Sequence, residues 1–524
     1  MFGKIFKSKK RLFGLEARDW LLIGLAVSVY VLITIWTITK SSIWFDEAFG
    51  AYMVKHFNFI EIARYTASDV HPPMFYWLLK LWSMMFGNSE LALRSMSVFF
   101  GALAILFGYV LTKRLFNKNA ARISLIFMAI SPMLVRYGQE ARNYTVVVAI
   151  ALAATYALTL AVNSKKKLPW VVYGALVSLG MWVHYFSAIV WISHWVWRAD
   201  LVRRVSKKSE FIKKFFSREW ILAHLVAVGL YLPWLPFLII QTTVIQVLGF
   251  WIPPVSSSTL VNFATNMIYY RDIGDTVGWM AMGVMAALVF MSVTAVLVYK
   301  RLNQKDRESY RLIMSLAFVP MVTLFILSLP PLRPIFVDRY LITSAVAVSI
   351  FIGTTLAFGY KYINKKLIVL AGVAIAIMMV VGVTGVWDLG NYNKNTKDTN
   401  QARTITELAI KKSSVDEPVI AATPWLFYEA VFYQTNGHPV YFIDTKDYRF
   451  GSLAMLQYSD YRKITDIKKF TKDHPTVWYI EWIARNKNPT KPYDNWVQID
   501  QITIHDPVGK RPEYRAVHYR IPNE

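Results

Sequence analysis

The chain has 524 residues, of which 55 % are hydrophobic, 15 % aromatic and 17 % charged, whereas ordinary globular domains carry about a quarter charged residues; this composition excludes an ordinary soluble cytosolic enzyme. Its 58 basic and 33 acidic residues put the basic side chains in short bursts between long apolar runs, a pattern that excludes a nucleic-acid partner and marks a polytopic membrane protein. Cysteine is absent, which excludes a disulfide framework, a thiolate metal site and a cysteine nucleophile.

The basic residues Lys4, Lys7, Lys9, Lys10 and Arg11 precede the first apolar run as they would in a signal peptide. No small-x-small cleavage site follows, so the run reads as an uncleaved anchor. A hydrocarbon core of about 30 Å needs roughly 20 mostly apolar residues per helix. Segments near 20–38, 91–111, 120–135, 144–162, 169–187, 188–198, 219–240, 276–298, 312–329, 340–359 and 367–387 meet that requirement, giving eleven predicted spans, with 188–198 the shortest. With the N-terminus inside, the cytoplasmic pieces hold 29 Lys and Arg and the opposite loops 10. Cytoplasmic loops retain basic residues, so the chain is expected in the plasma membrane with a cytoplasmic N-terminus and an extracytoplasmic tail.

The first outer loop, 39–90, holds apolar stretches too short or too interrupted to span. Phe49 to Ile62 has amphipathic spacing, and Met74 to Phe86 carries Lys80 in its middle; both read as helices lying at the membrane interface, where a lysine can snorkel. From Asn391 the hydropathy collapses, and strand-like patches at 418–421, 439–443 and 476–480 alternate with helical stretches such as Thr404 to Lys412. The predicted architecture is therefore an α-helical transmembrane domain over 1–387 followed by a soluble extracytoplasmic α/β domain over 388–524. The tail is nearly neutral, with 19 basic and 17 acidic residues. Trp425, Tyr428, Trp478, Trp482 and Trp496 suit either stacking on sugar rings or core packing, with core packing favoured for those in strand-like runs, and the tail is expected to recognise the acceptor.

Nine acids outside the tail fall on the outer face: Asp46, Glu47, Glu61, Asp69, Glu90, Glu140, Asp272, Asp275 and Asp338. Ionisable groups at a helix centre in a bilayer cost about 2.5–3.5 kcal/mol, so those near membrane depth are paired or functional. Asp46 serves either as a helix cap, with Glu47 in the favourable first turn, or as a chemical group. Glu140 serves either as the i,i+4 partner of Arg136 or as a second acid. His71, in a rigid His71-Pro72-Pro73 entry to a helix, is a surface or a site residue, and His184 and Arg339 are interfacial anchors or site residues.

The combination of Trp44-Phe45-Asp46-Glu47-Ala48, His71-Pro72-Pro73-Met74-Phe75-Tyr76, Phe86-Gly87-Asn88-Ser89-Glu90 with Arg94, Tyr137-Gly138-Gln139-Glu140-Ala141-Arg142-Asn143-Tyr144, His184-Tyr185 and Asp338-Arg339-Tyr340 resembles the family 39-like glycosyltransferases of the GT-C superfamily. These are relatives of the protein O-mannosyltransferases and of the aminoarabinose lipid A transferases. The resemblance is detailed over 40–200 and architectural over 1–387; no motif covers the tail. It implies a polyprenyl-phosphate-linked sugar donor, no nucleotide-sugar binding, and an acceptor hydroxyl on protein, lipid or cell-envelope glycan. It also implies Asp46 as the base, with Glu47 and Glu140 as the other acids of the catalytic set.

Transfer from a lipid phosphate needs a carboxylate to take the acceptor proton and cations to meet the charge growing on the departing phosphate, which guanidinium groups do through paired hydrogen bonds. Arg142, Arg339 and Arg94 are the expected phosphate binders, with His71, His184, Tyr144 and Tyr340 completing the pocket. A direct displacement inverts the anomeric centre. The acids and His71 lack a strict metal-ligand spacing, so no tightly bound metal is expected, although a divalent cation remains compatible with them. The competing readings are a transporter or flippase of a lipid-linked substrate, and a scaffold that presents the tail. A transporter would carry Gly/Pro-broken spans and ionisable groups at midplane; here the acids gather on one face.

Overall fold

The computed structural model describes residues 12–248, 252–270, 278–389, 402–435, 437–444, 456, 462–483, 491–504 and 513–522. The basic residues at 4–11, Asp272 and Asp275 lie outside the described residues. The eleven predicted apolar segments are largely helical where described, with 120–135 broken at Ile130-Ser131 and 169–187 at His184-Tyr185-Phe186, and the protein is a multi-pass helical membrane protein. Among the described residues, eight helices are long and apolar enough to cross a membrane, or nine if one bent pair counts as a single span.

The first helix, α1 (Ala17–Ile35), is followed by three helices of the first loop, α2 (Phe45–His56), α3 (Phe59–Ala67) and α4 (Met74–Phe86), and by the long α5 (Glu90–Leu115). Helices α6 (Lys118–Ala129) and α7 (Pro132–Gly138) form the bent pair, at 53°. Pro132 causes the break, since it lacks an N–H and pushes Ser131 out of helical conformation. Then come α8 (Tyr144–Ala161), the short apolar α9 (Leu168–Val183), α10 (Ser187–Val205), α11 (Phe211–Phe215), α12 (Arg218–Tyr231), α13 (Leu235–Leu248) and α14 (Thr259–Ile268). Four long helices, α15 (Gly278–Arg301), α16 (Gln304–Leu327), α17 (Ile342–Tyr362) and α18 (Lys365–Leu389), complete the bundle.

Helix α17 is apolar all round and almost wholly buried, as is much of α8, whereas α1, α15 and α18 keep most of their apolar surface outward. A helix that is hydrophobic on every side belongs in a core or in lipid, and this chain uses both. Small residues permit the closest approach: a Cβ on Gly353 of α17 would lie 2.4 Å from the Ser124 backbone of α6.

The first loop differs in detail from its prediction. The stretch expected as one helix from Phe49 to Ile62 is two, because Asn58 caps α3 by accepting the Ile60 and Glu61 N–H groups at 2.9 and 3.0 Å. Exposed Ile60, Met84, Met85 and Phe86 give α3 and α4 the apolar outer surface of interfacial helices. Lys80 does not snorkel; its ammonium donates to the Val54 carbonyl at 2.9 Å, in the last turn of α2, where a helix leaves carbonyls unsatisfied.

In the tail, α19 (Ala402–Lys412), β1 (Val419–Ala421), α20 (Pro424–Tyr433), β2 (Val440–Ile443), β3 (Lys463–Ile464), α21 (Ile467–Asp473), β4 (Thr476–Ile483), β5 (Val497–Ile504) and β6 (Glu513–Arg520) build a six-stranded mixed sheet of order β3-β2-β1-β4-β6-β5. The β3-β2-β1-β4 strands run parallel, and β6 is antiparallel to both its neighbours. The central strands β1 and β4 are covered on both faces over Val419–Ala421 and Val477–Ile480 and are apolar there without alternation, whereas β5, at the edge, alternates apolar and polar residues and is partly exposed. Val477 and Tyr479 pack on one side with Trp496 and Phe470, while Trp478 and Ile480 pack on the other with α20. That second side shares one continuous core with Phe49, Tyr52, Phe75 and Tyr76 of the first loop. Trp478, Trp496 and Tyr428 are core residues, but Trp482, although in a strand, is 53 % exposed, and Trp425 is also exposed.

Candidate active site

Residues 139–143 form a buried loop between α7 and α8. A buried loop must find partners for its backbone, and two side chains supply them. Ser97 of α5 donates its hydroxyl to the Glu140 carbonyl and, at 3.3 Å, to that of Arg142; Glu47 of α2 accepts the Ala141 N–H at 2.8 Å. Glu47 is fully buried and forms a bidentate pair with Arg94, Nε to Oε1 at 2.8 Å and Nη2 to Oε2 at 2.7 Å. Arg94 also donates to the carbonyls of Ile38, Ser41 and Ser42 at 2.6, 2.9 and 3.1 Å. All five guanidinium donors are thus engaged. This corrects two sequence expectations: Arg94 has no donor left for a phosphate, and Glu47 is a brace that joins the first loop to the 139–143 loop.

Asp46, one residue earlier on α2, faces the other way. It does not cap the helix, whose cap position is Trp44. Its carboxylate is 18 % exposed, with Oδ2 3.6 Å from Arg142 Nη2 and 3.8 Å from Arg339 Nη1. Arg142 comes from the buried loop, and Arg339 from the 3₁₀ turn Asp338–Leu341 ahead of α17. Arg142 further donates Nη1 to the Asp46 carbonyl at 3.2 Å and to the Tyr76 hydroxyl at 3.4 Å. Burial raises the Tyr76 hydroxyl above its ordinary pKa despite the nearby Arg142 charge, so it stays protonated. Arg339 lies over the rings of Trp44 and Tyr340, 5.9 and 5.7 Å from their centroids.

His71 joins this group. Its Nδ1 is 3.1 Å from Asp69 Oδ2, and its Nε2 stands 3.4 Å from Arg142 Nη2; with Nδ1–H given to Asp69, the Nε2 lone pair faces the guanidinium. His184, in the break between α9 and α10, is buried against His71, Tyr144 and Tyr340, with ring centroids 5.8, 6.3 and 5.2 Å away. Tyr340 stacks on Phe186 at 4.2 Å. Asp46, His71, Arg142, Tyr144, His184, Arg339 and Tyr340 therefore meet at one place, contributed by five separate stretches of chain.

Glu140 sits beside this place but is held by its own neighbour: Arg136 Nη2 donates to Oε1 at 2.8 Å, both groups buried. Its Oε2 has no hydrogen-bond partner among the described residues. Among those residues no group of three or more His, Asp or Glu stands together as a metal site would require. The acids face guanidinium groups rather than one another, an arrangement that suits an anion better than a resident cation.

Sequence reasoning passed over the roles of Trp44, Asp69 and Tyr76. An acid two residues before His71 is a readable signal for an oriented imidazole; nothing in the sequence marks Trp44 as the platform for Arg339, almost 300 residues away.

Residues 70–245 match the family model described as dolichyl-phosphate-mannose-protein mannosyltransferase. No curated protein matches the chain in sequence. Among solved structures, ArnT from Cupriavidus metallidurans bound to undecaprenyl phosphate is similar at a TM-score of 0.60 and 11 % identity, covering 96 % of this chain and 98 % of that one. Its apo form gives a TM-score of 0.61 at 10 % identity, over 97 % and 100 %. The apo oligosaccharyltransferase of Archaeoglobus fulgidus gives 0.51 at 12 % identity, over 80 % and 64 %. Over residues 70–245 the chain is thus similar to that mannosyltransferase family, and over nearly its whole length it has the fold of ArnT.

Proposed function

We propose that the protein transfers a sugar from a polyprenyl-phosphate-linked donor to an acceptor hydroxyl on the extracytoplasmic face of the plasma membrane. The observation that carries this reading is Asp46, a partly exposed carboxylate within 4 Å of two buried guanidinium groups. A carboxylate beside two arginines offers a proton acceptor and an anion site in one place. ArnT, which has the same fold, is a structure with undecaprenyl phosphate bound.

In the proposed step the acceptor oxygen attacks the anomeric carbon, the bond from that carbon to the phosphate oxygen breaks, and the acceptor proton passes to Asp46. Polyprenyl phosphate leaves carrying the bond electrons, and Arg142 and Arg339 meet its growing charge. His71, itself oriented by Asp69, fixes Arg142; His184, Tyr144 and Tyr340 wall the pocket. Glu140 and Arg136 stand as a second pair beside it. A single displacement inverts the anomeric centre, and retention with a defined donor would overturn that step. The reaction uses no resident metal, so activity should survive treatment with a chelator. The acceptor is a protein, lipid or glycan hydroxyl, and the tail lies on the acceptor's side of the membrane.

Mass spectrometry of lipids kept by the detergent-purified protein tests this reading. Asp46→Asn, lacking the base, should retain a polyprenyl-phosphate sugar that the native chain turns over. Finding only bulk phospholipid in both, in folded preparations, would overturn it in favour of transport.

A further inference from the structure

Residues 36–44 connect α1 to α2 and carry Asp46 into the site. Arg94 holds this segment from the bundle side, through the carbonyls of Ile38, Ser41 and Ser42. The tail holds it from the opposite side. Arg403 of α19 donates Nη2 to the carbonyls of Thr39 and Ser41 at 2.9 and 3.4 Å. Tyr433, the last residue of α20, places its hydroxyl oxygen 2.5 Å from the Ile43 N–H. Glu90 stands between them: its Oε2 is 2.5 Å from Arg403 Nη2, and its Oε1 accepts both the Ile43 N–H, at 3.2 Å, and the Tyr433 hydroxyl.

We propose that Arg403 and Tyr433 are positioning residues of the transfer reaction, through which the tail sets Asp46 against Arg142 and Arg339. The proposal rests on Asp46 being the base. Ile43 is three residues from Asp46, and the Asp46 carboxylate stands at 3.6 and 3.8 Å from its two cations, distances that a small shift of the α2 N-terminus would change. Misplacing a reacting group by about 1 Å from a remote site can cost about 100-fold in rate. The Ser41 carbonyl is gripped by Arg94 and Arg403 together, and the Ile43 N–H by Glu90 and Tyr433. Loss of either tail residue therefore removes one of the two tail contacts on the segment, and loss of both leaves it held from the bundle side only.

The chain contains no cysteine, so a single introduced thiol reports on one position. In the full-length membrane protein, the labelling rate of Asp46→Cys by a charged methanethiosulfonate reagent should change about fivefold or more on adding Arg403→Ala or Tyr433→Phe, and less on adding Arg403→Lys. Labelling of Ile60→Cys, on the exposed face of α3, should not change, which separates a local shift from unfolding. With a lipid extract containing polyprenyl-phosphate sugars as donor and Asp46 in place, Arg403→Ala should lower kcat about tenfold or more, with both KM values within about twofold and partial recovery in Arg403→Lys. Labelling rates within about twofold of the parent, or a rise in acceptor KM at unchanged kcat, would overturn the positioning role. If the native chain transfers no sugar from any such donor while the labelling rates shift as expected, the failure lies with the reading of Asp46 as a base, and the tail's hold on the segment stands.

Discussion

Asp46 and Glu47 are adjacent in sequence and opposite in surroundings, and substitutions should separate them cleanly. Breaking a buried ion pair by removing one partner costs about 3–5 kcal/mol. Arg94→Ala should therefore lower thermal stability in detergent by about that amount, and Glu47→Leu with Arg94→Met should recover much of it. Asp46→Asn, which keeps the side chain's size and whose carboxylate is partly exposed at longer ion-pair distances, should lower the melting temperature less than Arg94→Ala does and cut turnover by about 10²–10⁴-fold, the range for a lost general base. Arg142→Lys keeps the charge but loses the planar fork, so retention of the lipid donor should fall about tenfold, read by the same lipid mass spectrometry. At this scale the Arg136–Glu140 pair is visible as an i,i+4 spacing, and the site residues are visible as motifs. The Glu47–Arg94 pair is not: its members are 47 residues apart, and only the packing of α2 against α5 shows that the second acid of the motif is structural.

At the scale of elements, apolar length located the helices but not the number of spans: against eleven expected segments, eight helices, or nine with the bent pair, are long and apolar enough to cross among the described residues, and the segment expected as one span over 120–135 is broken at Ser131-Pro132. The close approach of α6 and α17 is less legible, because a glycine in an apolar run marks either a crossing or nothing. Gly353→Ala should cost about 1–3 kcal/mol as overpacking against the Ser124 backbone, measured as a loss of thermal stability, whereas Gly24→Ala, with open space around it, should not. The tail has a pH-dependent contact of its own. Burial raises the pKa of Glu417, but hydrogen bonds from Thr476, His518 and the Ser414 N–H outweigh burial and hold it below the ordinary 4.5. A depressed carboxylate stabilises the fold above its unfolded pKa, and that contribution is lost as pH falls through the folded value. The stability difference between the native chain and Glu417→Gln should thus stay constant from about pH 7 to pH 5 and shrink below about 4.5.

At the scale of the molecule, the charge asymmetry of the loops and the fall in hydropathy near residue 391 were readable from the sequence alone. The common core was not: Phe49 and Tyr52 of the first loop pack with Phe427 and Tyr428 of the tail, and periodicity within one segment says nothing of a partner almost 380 residues away. Deleting 391–524 should therefore remove acceptor transfer and also lower the thermal stability of what remains, since it uncovers large apolar side chains. A truncated protein as stable as the parent would show that the shared core contributes little. The buried loop 139–143 ties two distant parts of the chain to each other. Its Ala141 N–H is given to Glu47, and Glu47 is in turn paired with Arg94, so the backbone beside Arg142 is satisfied while the first loop stays docked on α5. The guanidinium of the candidate anion site and the brace therefore stand or fall together: a substitution that undocks Glu47 leaves a buried backbone donor without that acceptor one residue from Arg142.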